Sequence, residues 1–212
     1  MEIKKITNPA NAVMHQRFSV RKYDESVKID KEEMARILQD AMTAPSSLNL
    51  QPWRFVVIDS NEGKKLIEPY MMFNQLQWQT SSAIIAIFGD LENMTQAEAI
   101  YSSGVEHKIM PEEYKEKVMS LINSYRQELS DERMVNTVVF DCGLVTMQIM
   151  LAAKAYGYDT NPIGGYMRKE LAEALNMDAK RYMPVLLLSI GKADETIKDS
   201  IRYSVADITQ WV

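Results

Sequence analysis

A single cysteine, Cys142, stands in a chain of 212 residues. An internal disulfide framework is therefore excluded, and the chain suits a reducing, cytoplasmic compartment. Only two histidines occur, His15 and His107, so a His-rich metal site is unavailable and both read as solvated. Paired CxxC motifs, HExxH and a P-loop are absent, and no GxGxxG follows a strand pattern, which removes the Rossmann dinucleotide fingerprint. Excess positive charge is missing too. A net charge of −5 and a pI near 5.2 argue against a general nucleic-acid or anionic-membrane surface. The start, Met1 to Lys5, lacks the apolar run of a secretory signal. No repeat, low-complexity tract or linker divides the sequence, so one domain spanning residues 1–212 is expected. With so few reactive side chains, any difficult chemistry is more easily assigned to a bound cofactor.

What is present is ordinary for a soluble protein, with 46% hydrophobic and 25% charged residues, enough for one sizeable core. From Met134 to Ala153 the chain is apolar over nearly the length of a membrane span. Asn136, Asp141, Thr146 and Gln148 interrupt it, and a mid-helix Asp is costly in hydrocarbon. A helix over about 131–156, buried inside the protein and stopped at Gly157, is the better reading, with Cys142 as an inert core thiol.

Met34, Ile37, Leu38, Ala41 and Met42 follow helical spacing behind an Asp30 N-cap, with Glu33 placed as a capping-box partner. Phe55–Ile58 reads as a buried strand, followed by a helical segment over 62–79 interrupted near Pro69. Ala83–Phe88 and Val185–Ile190 are further buried strands, and a short helix lies near Arg168–Leu175. The stretch 91–129 is polar and Met-rich. Its helix from Pro111 carries one apolar stripe (Tyr114, Val118, Leu121, Ile122, Tyr125, Leu129), which suggests a covering excursion. The tail beyond Gly191 is polar and alternates weakly. Strands and helices mix without regular alternation, an α+β pattern.

Two segments carry chemistry. Ala44-Pro45-Ser46-Ser47-Leu48-Asn49-Leu50-Gln51-Pro52-Trp53 places two prolines, hydroxyls and amides between a helix and a strand, either as a stiff turn or as a binding loop. Arg17-Phe18-Ser19-Val20-Arg21 alternates, putting two guanidiniums and a hydroxyl on one side of an extended segment. That arrangement suits a phosphate or another anion, and equally a solvated basic strand.

Together, Arg17-x-Ser19-x-Arg21, Pro45-Ser46-Ser47-x-Asn49-x-Gln51-Pro52-Trp53, Pro162-Ile163-Gly164-Gly165-Tyr166 and the late Arg202 resemble the FMN-dependent nitroreductase family over about residues 14–205. The resemblance implies a mostly antiparallel central sheet flanked by helices, in an intertwined homodimer with two flavins at the interface. Arg17 and Ser19 would then lie near the FMN phosphate or ribityl chain, Arg21 and Asn74 near the pyrimidine edge, and Arg202 at the phosphate. Pro45, Ser46, Ser47 and Asn49 would reach the flavin held chiefly by the other subunit. Pro162, Ile163, Gly164 and Gly165 would cover one ring face, with a backbone N–H aimed at N5. A cation beside N1–C2=O favours the reduced ring, and a glycine pair lets backbone approach it. The implied activity is hydride transfer from NADH or NADPH through N5 to nitroaromatics, quinones or related acceptors, one after the other at a shared site. No catalytic side chain and no metal is required.

Two departures stand out. Gly164 replaces an acidic residue of some members, and neutral Gln77 stands near a lysine of others. Other implied activities are reductive dehalogenation, flavin fragmentation, or flavin sensing without turnover. The 91–129 excursion would choose among the enzymes by controlling access.

Overall fold

The computed structural model describes residues 8–197 and 199–212. The reading of Met1 to Lys5 falls outside them.

Four strands form one antiparallel sheet in the order β1-β2-β4-β3, with β1 Trp53–Ile58, β2 Ala83–Asp90, β3 Asp159–Ile163 and β4 Tyr182–Gly191. All of β2 is buried, because a central strand covered on both sides hides both alternating sets of side chains. Ala83, Ile85 and Ile87 join one core cluster, while Ile84, Ala86 and Phe88 join another.

Helix α1 (Pro9–Gln16) buries no residue. The first core cluster is covered by α2 (Lys31–Ala41), together with the long helix α7 (Asp131–Ala155). In α2 the Asp30 carboxylate accepts from the Glu33 N–H at 2.7 Å, and Met34, Ile37 and Ala41 face inward. Burying side chains such as Met34 and Ile37 stabilises by about 1.5–3 kcal/mol each. Helix α7 starts at Ser130, whose hydroxyl accepts from the Arg133 N–H, and is followed by Gly157 at φ +87°. It is long and apolar enough to cross a membrane. Val138, Cys142, Val145, Ile149 and Ala153 are instead packed against the sheet. Close approach is possible because Gly89 of β2 has no side chain: a Cβ there would lie 2.2 Å from Val138 Cγ1.

The second cluster is covered by α3 (Asn61–Ile67), α4 (Gln75–Thr80) and α8 (Arg168–Ala174), through Ile67, Trp78, Leu171 and Ala172. Pro69 lies in a short 3-10 turn between α3 and α4, the interruption expected there.

The stretch 91–129 forms a 3-10 turn, α5 (Ala97–Glu106) and α6 (Glu112–Glu128). With Leu50 it makes a third cluster containing Met94, Ala97, Tyr101, Val118 and Ile122. The expected stripe on α6 needs correction at two positions. Tyr114 and Leu121 are exposed, lying off the arc that Val118 and Ile122 bury.

Strand β3 was not anticipated. Pro162 obscures it, and it is tolerated because β3 is an edge strand. A second proline, Pro184, sits in β4 at a register shift opposite Ile87 and Phe88. The Arg168 guanidinium donates to the Pro184 carbonyl there at 2.7 Å. The chain ends in an exposed tail containing α9 (Val205–Ile208), where Ile201, Tyr203, Ile208 and Trp211 are largely solvated.

Candidate functional site

Residues 17–24 run beside β3 and the chain following β4. The Val20 N–H donates to the Thr160 carbonyl at 3.1 Å, and the Asn161 side chain returns a bond to the Val20 carbonyl at 3.0 Å. The Asp24 and Asp194 amides tie this segment to Lys192 and Lys22, and Lys22 pairs with Asp194. Residues 195–197 and 199–202 are thereby drawn opposite Arg17–Arg21.

Between the two segments lies a cavity of about 360 Å³, lined by Arg17, Phe18, Ser19, Arg21, Glu195, Thr196, Ile197, Asp199, Ser200 and Arg202. Arg17, Ser19 and Arg21 therefore share one space, which Phe18 between them lines as well. Arg17 follows the last turn of α1, and its Nε is buried without a partner among the described residues. An unsatisfied buried guanidinium nitrogen is costly unless a ligand pairs with it. Arginines and hydroxyls are the donor set for a phosphate. Glu195 accepts the Arg21 backbone N–H; neither it nor Asp199 carried a recognisable signal in the sequence.

Asn74 and the glycine pair form a second group. The Met72 N–H donates to the Gly165 carbonyl at 3.1 Å, and Met71 bridges Tyr166. Asn74 precedes α4 with left-handed φ 64°, a conformation an Asn tolerates. Its Oδ1 accepts from Gln77 Nε2 at 3.0 Å, and its amide N–H groups meet no acceptor among the described residues. Gln77 is thus a partner of Asn74, a role its neutral amide fills. A Cβ on Gly165 would meet Phe73 Cδ2 at 2.8 Å, whereas one on Gly164 would meet nothing within 4 Å. Pro162 is exposed. Ile163 points wholly into the second core cluster, so it can offer a ligand only its backbone.

Pro45, Ser46 and Ser47 line a different cavity of about 650 Å³, with Asn136, Thr137, Phe140, Asp141 and Leu144 of α7, and Asn49 lies outside its lining. The segment is a strained turn: Leu48, Asn49 and Gln51 have φ of 51°, 51° and 46°. Such left-handed residues cost of order 1–3 kcal/mol each and persist only where surroundings hold them. Four contacts do so. Both carboxylate oxygens of buried Asp141 accept from the Ser47 N–H at 3.1 Å. The Tyr101 hydroxyl donates to the Leu48 carbonyl at 2.9 Å. Ser46 Oγ accepts the Gln51 N–H at 3.0 Å, and Arg54 donates to the Gln51 carbonyl at 3.0 Å. Burial raises the Asp141 pKa, opposed by the Ser47 N–H. Asp141 had shown itself only as a charge inside an apolar helix; Tyr101 gave no signal.

Nucleophilic and metal chemistry find no support in the described residues. Burial pushes the Cys142 thiol up to about 12, His15 and His107 are exposed, and no metal-holding cluster occurs among the described residues.

Residues 14–192 match the model of the nitroreductase family. A Bacillus subtilis (strain 168) protein described as an NAD(P)H nitroreductase, YdgI, is 49% identical over 97% of this chain and 98% of its own. A nitroreductase crystallised with FMN from Exiguobacterium sibiricum 255-15 superposes with a TM-score of 0.94 at 47% identity, covering 97% of this chain and 98% of that one. The CLA biosynthesis enone reductase of Lactiplantibacillus plantarum is 32% identical over 98% of this chain and 96% of its own. The chain belongs to the nitroreductase family, the FMN-dependent oxidoreductases that its arginine, proline-serine and glycine motifs resemble.

Proposed function

We propose that this protein is an FMN-dependent oxidoreductase that takes hydride from NADH or NADPH and delivers it to a nitroaromatic, quinone or related acceptor, working as a cytoplasmic homodimer in a ping-pong cycle. The observation that carries the reading is the arginine-lined cavity with an unpartnered, buried Arg17 Nε, within one β-ladder of the Gly164–Gly165 pair.

Arg17 and Arg202, with Ser19, would hold the phosphate end. Arg21 and the Asn74 amide would face the pyrimidine edge, where fixed positive charge favours the reduced state. Gly164 and Gly165 would let backbone approach the ring, presenting an N–H and leaving the other face for a stacked nicotinamide or acceptor. Bound FMN supplies hydride acceptance and donation at N5, which is why no side chain need act as a nucleophile. Pro45, Ser46, Ser47 and Asn49, away from the arginine cavity, would wall the flavin of the other subunit.

The homodimer is supported by exposed apolar residues on α7 beside that turn (Val139, Phe140 and Met147) and by the solvated Ile201, Tyr203 and Trp211 of the tail. Free-standing apolar surface of this kind marks an interface. We treat residues 1–212 as one domain, with 91–129 as a cover over the site. The enone reductase relative adds activated alkenes to the acceptors worth assaying.

The test is the visible spectrum of the purified protein, followed by anaerobic titration with NADH and NADPH and then with menadione, nitrofurazone and an enone. Flavin bleaching by nicotinamide and recovery with an acceptor are expected, with parallel double-reciprocal plots. Protein that neither carries FMN nor takes it up removes the reading.

A further inference from the structure

The turn Ser47–Asn49 is held from two separate layers of the molecule. Asp141 rises from the core helix and is 3% exposed, yet it has no cationic partner among the described residues. Its recorded hydrogen bonds both come from the Ser47 N–H. A carboxylate placed in an apolar helix at a desolvation cost, and spent on one backbone amide, is not there for the stability of the helix. Tyr101 reaches the same turn from α5, in the covering excursion. Its ring is buried in the third cluster, and its hydroxyl meets the Leu48 carbonyl. The two bonds grip consecutive residues on either side of the point where the backbone enters left-handed φ.

We propose that Asp141 and Tyr101 are positioning residues that preset the Pro45–Asn49 turn in its strained geometry, so that the excursion and the core helix jointly hold one wall of the flavin site. The inference rests on the reading of that turn as a flavin wall. It goes beyond it by assigning the turn's shape to two residues outside the motif. A wall preset in this way spares the ligand the cost of ordering it. The excursion then acts on flavin retention as well as on acceptor access, since any displacement of α5 withdraws the hydroxyl from Leu48.

The experiment compares wild type with Asp141→Asn, Asp141→Leu and Tyr101→Phe. Hydrogen exchange of the flavin-free protein is followed in peptides covering residues 44–53, and FMN affinity is measured by fluorescence titration. Tyr101→Phe and Asp141→Leu are expected to speed exchange in that peptide and to weaken FMN by about tenfold, the size of one lost hydrogen bond. Asp141→Asn keeps a carbonyl oxygen for the Ser47 N–H and should restore most of both. Unchanged exchange and affinity in Tyr101→Phe, the least intrusive variant, overturn the assignment even if Asp141→Leu fails to fold. Failure of Asp141→Asn to rescue overturns it for Asp141. Asn49→Ala separates the two levels. If it leaves FMN affinity intact while Tyr101→Phe loosens the turn, the flavin-wall reading falls and the preset geometry stands.

Discussion

Arg181 grips Asp90 through two bonds, Nε to Oδ1 at 2.9 Å and Nη2 to Oδ2 at 3.0 Å, where the end of β2 meets the start of β4. Arg54 of β1 adds a third at 3.0 Å, and the carboxylate is wholly buried. One anion therefore ties β1 and β2 to the residue that leads into β4. Because Arg54 also donates to the Gln51 carbonyl, the cluster reaches the Pro45–Trp53 turn.

Asp90→Asn removes the charge that two guanidiniums face while keeping its shape. Breaking a buried pair from one side costs several kcal/mol, so unfolding in urea should show a loss of about 3 kcal/mol. A loss below about 1 kcal/mol would mean that the arginines find water as readily as they found the carboxylate.

Lys64 gives a pH signature. It is buried and donates to the Gln79 and Ser81 carbonyls at 2.9 and 2.5 Å, closing the C-terminal end of α4. Burial, then repulsion from Lys28, lowers its pKa from 10.5 to about 8, with Glu25 opposing. Between those values the unfolded chain holds a proton that the folded chain has released, so stability rises with pH across that window. Measured against Lys64→Met at each pH, wild type should gain on the order of 1–2 kcal/mol between pH 7.5 and pH 10. A flat difference would place the ammonium in water.

Arg17→Ala tests the arginine cavity. Its Nε has no partner to lose among the described residues, so the melting temperature of the flavin-free protein should barely move. FMN affinity should fall by about 1.5–3 kcal/mol, the value of a charge-assisted bond. Calorimetric titration with an unchanged dissociation constant takes Arg17 out of the site.

Gly89→Ala places a methyl 2.2 Å from Val138 Cγ1 and 3.4 Å from Cys142 Sγ. Overpacking of this kind costs about 1–3 kcal/mol. Adding Val138→Ala should return part of it, because the two sites share one contact. A double mutant whose loss is the plain sum of the singles would show that α7 had shifted bodily instead.

Legibility in the sequence followed the range of the forces involved. The burial of β2, the Asp30 cap of α2 and the stop of α7 at Gly157 are local patterns, and they appear as read, as does the break at Pro69. Glu33, read as a capping-box partner, instead accepts from the Tyr158 hydroxyl at 2.6 Å. Arg17, Ser19 and Arg21 share one cavity, but Phe18 lines it too, so alternation alone does not account for their grouping. Strand β3 itself was hidden by Pro162, whose edge position only the assembled sheet reveals. Ile163, part of a motif read as facing the flavin, turns its side chain into the core because period-two alternation places it there. Tyr101 and Asp141 reach the turn across 53 and 94 residues of chain, and no local pattern encodes such partnerships.

The exposed tail makes the protein its own optical gauge. Trp53 and Trp78 are 5% and 4% exposed, whereas Trp211 is 85% exposed. Red-edge emission therefore belongs to Trp211, while the two inner indoles emit to the blue. If the proposed homodimer covers the tail, that red component should shift blue with rising protein concentration, and Trp211→Phe should abolish the shift. A spectrum recorded across a dilution series then follows assembly without any label.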